Sequence, residues 1–287
     1  MNDTSVASTD PRVYWTDRMD QAALFMQQMR DYPIVDCGER LLPMSMVTEN
    51  LAVSFSESKI NNYYPRIFSL REGLLPSFRD VAAEINAKGW ILRVEEGYRT
   101  PTMQRELSRT SKLFDAILQK VLWELRGEIP SPDFMLQRVG ALIATRCRVG
   151  THISGSAIDV SIVDQATGRD VDRGGPYCEF SEKSPMNSPF ISECARMNRR
   201  EIERIFLGHG WVAYPFEFWH FSKGDVYAEN LSRSGRPARY GPVEYDGLNC
   251  RIIGEQEADE LLEPVEFYES EILSSLARLA SVDTSNI

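Results

Sequence analysis

The chain has 287 residues, 43% hydrophobic and 26% charged, the profile of a globular protein long enough to bury a real core. Forty-two acids against 32 bases leave a formal charge of −10, which argues against a binder of nucleic-acid backbones. No apolar run reaches the ~18–20 residues of a membrane span. The opening MNDTSVASTDPRV has no basic stretch followed by an apolar one, and five scattered cysteines without a CxxC read as reduced thiols, so a cytoplasmic location is expected.

Residues 1–12 are polar and carry no signal for structure. Residues 16–31 place Ala, Leu, Phe and Met at helical spacing, and Tyr32-Pro33 ends that helix. Residues 34–65 are mixed. A helix is expected from Pro76, capped by Ser77, with Phe78, Val81, Ala82 and Ile85 as its buried stripe and Gly89 as its stop. WILRVEEGYRT alternates Ile91, Arg93 and Glu95 against Leu92, Val94 and Glu96, which predicts a half-buried strand running into a glycine turn. One long helix is predicted over 101–126 behind Thr100-Pro101, and another over 134–146. SAIDVSIV at 156–163 alternates as a strand, and a loop rich in Gly, Pro and Ser follows to residue 190. A helix over 191–208 ends at Gly208. The aromatic stretch 211–222 reads as β, interrupted by Pro215, and the text loosens after Asp225. The last ~25 residues form an acidic amphipathic helix pair broken at Pro264. Strands and helices in this irregular order predict an α+β fold, a central antiparallel sheet packed by helices.

Only three histidines occur, so the setting of each is informative. His152 lies in GTHISGSAID, a glycine-bounded turn before a strand. Asp159 shares a strand face with Ala157 and Ser161, opposite Ile158, Val160 and Ile162. Imidazole plus carboxylate is a metal-ligand pair, zinc foremost; on its own the spacing is a weak signal, and a surface turn beside an exposed aspartate is the plainer reading. Glu217-Phe218-Trp219-His220 puts an acid and an imidazole three residues apart in an aromatic run. Burial among aromatics would raise the carboxyl pKa toward the range of a general base, whereas the plainer alternative is a strand with one outward Glu and one satisfied His. Strict alternation sends residues 217 and 220 to opposite faces, so a bulge or turn between them is predicted if both serve one site.

Together, His152, Asp159 and His220 make the three protein ligands of a catalytic zinc, with a fourth position open for water and Glu217 placed to take its proton. Such a site implies hydrolysis of an amide or ester. It also needs a cation where the oxyanion develops, and Arg99 in EGYRTP is well located for that, or else closes a surface turn. His209 in LGHGW sits at a helix end, where a cation suits the dipole.

GYRTP at 97–101, THISGSAID at 151–159 and FEFWHF at 216–221, in that order, resemble the D-alanyl-D-alanine dipeptidases of vancomycin-resistance type. These are part of a wider zinc-peptidase group with D-Ala-D-Ala carboxypeptidases, lysostaphin and the hedgehog signalling domain. EFSEKS at 179–184 and NRR at 198–200 also look like the dipeptidase branch, and the likeness spans roughly residues 60–224. The resemblance implies zinc on His152, Asp159 and His220, Glu217 as general base and acid, and Arg99 stabilising the tetrahedral intermediate. It implies a hedgehog/D-Ala-D-Ala-peptidase-like α+β domain over 51–225, between an N-terminal helical extension (1–50) and a C-terminal extension with acidic helices (226–287). Tyr98, Thr151, Ser156, Cys178 and Trp219 are expected along the substrate. The implied reaction is zinc-dependent hydrolysis of a short D-amino-acid peptide from the cell wall, D-Ala-D-Ala foremost, with a carboxypeptidase, an endopeptidase or a non-catalytic zinc domain as alternatives. No nucleic-acid or membrane partner is expected, and the terminal helices are candidates for covering the core or for self-association. Three departures stand out. Glu96 and Thr100 replace Asp and Pro around GYR, Thr151 replaces a Ser, and Cys178 stands where an acid would hold the substrate's ammonium group. Glu179 and Glu182 are the nearby acids that could compensate.

Overall fold

Capping chemistry sets the helix boundaries in the computed structural model, which describes residues 10–284; residues 1–9, most of the polar opening, lie outside the described residues. Helix α1 (Pro11–Arg30) starts ahead of the predicted residue 16, because the Asp10 carboxylate accepts the Arg12 and Val13 amide N–H at 2.8 and 3.4 Å and Pro11 needs no partner at the first position. Trp15, Met19, Ala22, Phe25 and Met29 form its buried face. The mixed stretch that follows holds short strands: β1 (Leu41–Pro43), β2 (Val53–Phe55), β3 (Lys59–Ile60), β4 (Tyr64–Pro65) and β5 (Ser69–Arg71).

Helix α2 (Leu75–Ala87) buries the predicted stripe, but Ser77 is not its cap: it lies inside the first turn, where its hydroxyl donates to the Leu74 carbonyl at 3.0 Å. Strand β6 (Trp90–Glu96) follows Gly89, whose φ of +74° ends the helix. The single long helix predicted over 101–126 is two, α3 (Pro101–Ser108) and α4 (Ser111–Glu124). The intervening Arg109-Thr110 closes one helix and opens the next, so α4 can turn to pack against α1 and the C-terminal helix. Helix α5 (Pro132–Leu142), capped by Ser131 on the Phe134 N–H at 3.2 Å, stops short of residue 146 because Ile143 is extended. Then come β7 (Ala157–Asp164), α6 (Glu193–Gly208) capped by Ser192, β8 (Val212–Ala213), β9 (His220–Ser222), α7 (Val226–Leu231), β10 (Val243–Tyr245), β11 (Cys250–Ile252), α8 (Glu255–Asp259) and α9 (Val265–Thr284).

The main sheet has strand order β2-β6-β7-β9-β8. It is antiparallel except at one edge, where β2 runs parallel to β6, so the predicted α+β architecture holds. A register shift between Val94 and Glu96 sets Glu96 opposite Asp159 on β7. One face of the sheet (Leu92, Val94, Ile158, Val160, Ile162 and Phe221) packs on Phe78, Val81 and Ile85 of α2 and Ile202, Ile205 and Phe206 of α6. A second apolar cluster joins α1, α4, α5 and α9 through Trp15, Met19, Phe114, Ile117, Met135, Val139, Tyr268 and Ile272. Each such fully buried side chain contributes about 1.5–3 kcal/mol. All five cysteines are unpaired, and no helix of the described residues is long and apolar enough to cross a membrane.

Candidate active site

The face of β7 turned away from that sheet core carries Asp159, and its neighbours bring the rest of the site to it. The turn ahead of β7 holds His152, and Arg71 pins this turn from below: its guanidinium donates to the Ser154, Glu39 and Gly241 carbonyls at 2.6, 2.7 and 2.9 Å. Gly155 in the same turn has φ +68°, and a Cβ there would come within 2.3 Å of Leu41, so only glycine fits. His220 opens β9 directly opposite Asp159 in the antiparallel register.

The three side chains converge as the spacing predicted. His152 Nε2 is 3.3 Å and His220 Nδ1 is 3.0 Å from Asp159 Oδ1. One ligand atom from each lies within 4.8 Å of the others, and all three residues are buried. The remaining ring nitrogens are engaged behind the site. His152 Nδ1 is 2.7 Å from the Gly97 carbonyl, and His220 Nε2 is 3.1 Å from Thr151 Oγ1. These contacts fix ring orientation and leave Nε2 of one ring and Nδ1 of the other facing Asp159, the arrangement in which outer hydrogen bonds support metal-ligating imidazoles. Burial and the Arg99 cation lower the His152 pKa, with Asp159 opposing them. Burial would raise the Asp159 pKa, but the two imidazoles hold it well below the usual carboxylate range.

Glu217 is reached through the predicted turn. Between β8 and β9 the chain folds over Tyr214–Trp219, with the Glu217 N–H on the Tyr214 carbonyl and the His220 N–H on the Glu217 carbonyl, both at 3.3 Å. The turn removes the strand alternation, so Glu217 and His220 line the same cavity. Burial pushes the Glu217 carboxyl well above its usual range; Asp159 adds to the rise and Arg99 offsets part of it.

Arg99 Nη2 lies 3.6 Å from Asp159 Oδ2, and its Nη1 donates to Gln104 Oε1 at 3.2 Å. Its Nε is 3.1 Å from Glu96 Oε2 but out of line for a hydrogen bond. Burial alone would disfavour the cation; Glu96 and Asp159 outweigh it.

The cavity encloses about 160 Å³ between the sheet and the α1–α4–α5 cluster. Of the residues expected along the substrate, Thr151, Cys178 and Trp219 line it. Tyr98 and Ser156 do not. Tyr98 is fully buried with its hydroxyl on the Val243 carbonyl at 2.8 Å, and Ser156 Oγ lies 2.7 Å from Asp225 Oδ2 beneath the site. Both serve the scaffold. Cys178, at φ +64°, has its thiol pushed up to about 12 by the surrounding protein and by Glu217 and Asp159, which keeps it protonated. Glu179 and Glu182 do not replace the missing acid: Glu182 pairs with Lys120 at 2.8 Å, Glu179 accepts from Ser181 at 2.6 Å, and neither lines the cavity. His209 caps the end of α6 and contacts Glu84 at 2.9 Å, away from the site.

Sequence reasoning missed four contributors. Tyr177 donates its hydroxyl to Asp159 Oδ2 at 3.1 Å. Arg66 donates to Glu96, and both line the cavity. Gln104 holds Arg99 from α3. Only Glu96 carried a signal, its place beside GYR.

A buried His-Asp-His set, an acid with a raised pKa and a guanidinium around one cavity define, with this fold, a metallopeptidase, a hydrolase. Residues 136–234 match the peptidase family M15, described as D-ala-D-ala dipeptidase. A D-alanyl-D-alanine dipeptidase of Synechocystis sp. is 25% identical over 240 residues, covering 74% of this chain and 95% of its own. One of Escherichia coli is 30% identical over 104 residues, 36% of this chain and 47% of its own. A solved vancomycin-resistance D,D-pentapeptidase in complex with Zn(II) is 14% identical with a TM-score of 0.33, covering 64% of this chain and 88% of its own. The resemblance read from the three motifs is borne out.

Proposed function

We propose that this protein hydrolyses a short peptide containing D-alanine, D-alanyl-D-alanine foremost, in a zinc-dependent reaction. The observation that carries the reading is the convergence of His152, Asp159, His220 and Glu217 on one cavity beside Arg99. The donor set fits zinc: two imidazoles and a carboxylate, buried, with both rings held from behind. Zinc there would supply Lewis acidity, polarising the scissile carbonyl and acidifying water.

The chain's own residues do the rest. Glu217 takes the proton from the attacking water and delivers it to the leaving amine, and its raised pKa suits both halves of the task. Arg99 donates N–H to the oxygen that becomes negative, with Gln104 and Glu96 holding its plane. Gly97 and Thr151 keep the imidazoles aimed. The names of the relatives support D-Ala-D-Ala as the substrate to try first.

The test is incubation of the zinc-loaded protein with D-Ala-D-Ala and related peptides, with products read by mass. Release of alanine is expected, and intact peptides throughout would end the proposal. Glu217→Ala is expected to keep its zinc and lose on the order of 10²–10⁴-fold in turnover. His220→Ala is expected to lose the metal, and unchanged zinc by elemental analysis would remove it from the ligand set.

A further inference from the structure

The two oxygens of Asp159 have different neighbours. Oδ1 lies 3.3 Å from His152 Nε2 and 3.0 Å from His220 Nδ1. Two donors that share a tetrahedral zinc at ~2.0–2.1 Å stand about 3.3 Å apart, so these separations suit a single oxygen completing the set. Oδ2 is engaged by other groups. The Tyr177 hydroxyl donates to it at 3.1 Å, and Arg99 Nη2 pairs with it at 3.6 Å. Burial, with Asp159 as the next cause, pushes the Tyr177 pKa well above its usual value, so the hydroxyl keeps its proton and acts as a donor.

The segment that carries Tyr177 is built to deliver this bond. Arg173, earlier in the loop, is buried and clamps it to the strand that bears Asp159, donating to the Val160 carbonyl at 2.8 Å and to Ser161 Oγ at 3.2 Å. Cys178, next in the chain, takes the left-handed conformation at φ +64°, uncommon for a residue other than glycine. The Tyr177 ring stands edge-on against Trp219, with 5.8 Å between centroids. Backbone and ring are both held, and the hydroxyl is left on Asp159.

We infer that Tyr177 is a positioning residue for the metal: its hydroxyl, with Arg99, holds Asp159 by Oδ2 and restricts the carboxylate to coordination through Oδ1 alone. The inference rests on the zinc reading above. A carboxylate free to rotate can offer both oxygens to a metal. The second oxygen would then fill a position that the attacking water or the scissile carbonyl needs. A donor on Oδ2 fixes the carboxylate plane, as outer hydrogen bonds do for ligating groups. Arg99 alone is a weaker restraint, because it lies beyond hydrogen-bond distance of Oδ2 and is shared with Gln104 and Glu96.

The experiment is Tyr177→Phe, which removes one hydroxyl, read by the metal and not by turnover alone. Zinc affinity is measured by competition with a chromophoric chelator. Cobalt(II) is then put in place of zinc and its visible absorption recorded, which is intense for a four-coordinate ion and weak for a five- or six-coordinate one. The parent is expected to give the intense spectrum. Tyr177→Phe is expected to bind zinc about tenfold more weakly and, with cobalt, to lose visible intensity as the second carboxylate oxygen enters. A tyrosine that only packs the loop would lower the melting temperature of the variant and leave the parent's spectrum, and an unchanged spectrum overturns the inference whatever the zinc affinity. A parent whose cobalt spectrum is already weak overturns it with no variant needed. A parent that takes up neither metal refutes the zinc reading and this inference with it. The expected pair of spectra without hydrolysis of any peptide would leave this inference standing and the hydrolytic reading refuted, and hydrolysis with an unchanged variant spectrum would do the reverse.

Discussion

At the scale of single residues, the site is a balance of buried charges. Glu217 has a folded-state pKa above that of the unfolded chain. Its contribution to stability is therefore present below the ordinary carboxylate range and is lost as pH rises through the folded value. In the metal-free protein, Glu217→Gln removes a group that is costly to ionise. The variant is expected to melt a few degrees above the parent at pH 8 with a smaller gap at pH 5, read by calorimetry; an equal gap at both would show that Glu217 titrates as if in water. Gly97 is a second sensitive point. Its carbonyl holds His152, and a Cβ on it would come within 2.7 Å of the Ile67 carbonyl and 2.9 Å of Met44. Gly97→Ala must displace one backbone from the other, and weaker zinc retention in dialysis against a chelator is the expected consequence. At this scale the sequence was most readable. His152 and His220 belong to a residue type that occurs only three times, Asp159 and Glu217 stand in settings that ask for a partner, and the chemistry names the partner. Arg66 and Tyr177 were silent because an arginine or tyrosine in an irregular stretch has many uses, and only the fold chooses among them.

At the scale of elements, the turn between β8 and β9 decides whether the general base reaches the site. Phe218, within that turn, packs its ring against two buried guanidiniums, Arg199 at 3.9 Å and Arg173 at 4.8 Å from its centroid. Arg199 donates to the carbonyls of Arg173, Lys183 and Pro185 at 2.6, 2.9 and 2.8 Å, and the 184–186 loop hydrogen-bonds in turn to Pro215 and Phe218. Arg199 thus ties α6 to the segment carrying Glu217. Burial and the neighbouring Arg173 lower its pKa to about 9, and no carboxylate among the described residues is hydrogen-bonded to it. Arg199→Met strands several buried carbonyls at about 1–3 kcal/mol each. A lower melting temperature is expected, with a larger fall in kcat than in zinc content; unchanged kcat in a folded variant would detach Arg199 from the turn. The turn itself could be foreseen because alternation fails between residues 217 and 220. The break at Arg109-Thr110 could not: helical periodicity runs through it, and what bends the chain there is the demand of α4 for a place beside α1 and α9.

Across the whole molecule, α1 contributes to the cavity wall and α9 backs the helices behind it. Met26 of α1 lines the cavity, Arg30 pairs with Asp259 at 2.6 Å, and α9 lays Tyr268 and Ile272 against the cluster built by α4 and α5. Arg138 adds a buried tie from α5, donating through Nε to Glu124 at 3.1 Å, while Glu124 also accepts the Trp15 indole N–H at 3.2 Å. A chain ending before Pro264 uncovers Phe114 and its neighbours, and poor solubility or a melting temperature lower by many degrees is expected; a soluble fragment of parental stability would make α9 an appendage. Composition and period located both helices, but amphipathicity says only that a face must be covered. It does not say by what, so the place of α1 on the cavity and of α9 on α4 and α5 was invisible before the contacts were known.

The register shift in β6 has a consequence for how this protein tolerates change. Leu92 and Val94 point into the apolar layer, and unbroken pleating would send Glu96 after them. The extra backbone unit at Glu95 reverses that parity and delivers the carboxylate to the opposite side, facing Asp159 and the two arginines. In this stretch backbone register therefore matters more than residue identity: exchanging one side chain alters a contact, whereas pleating straight through Glu95 would drive the Glu96 carboxylate into the oily layer and pull Arg99 out of line.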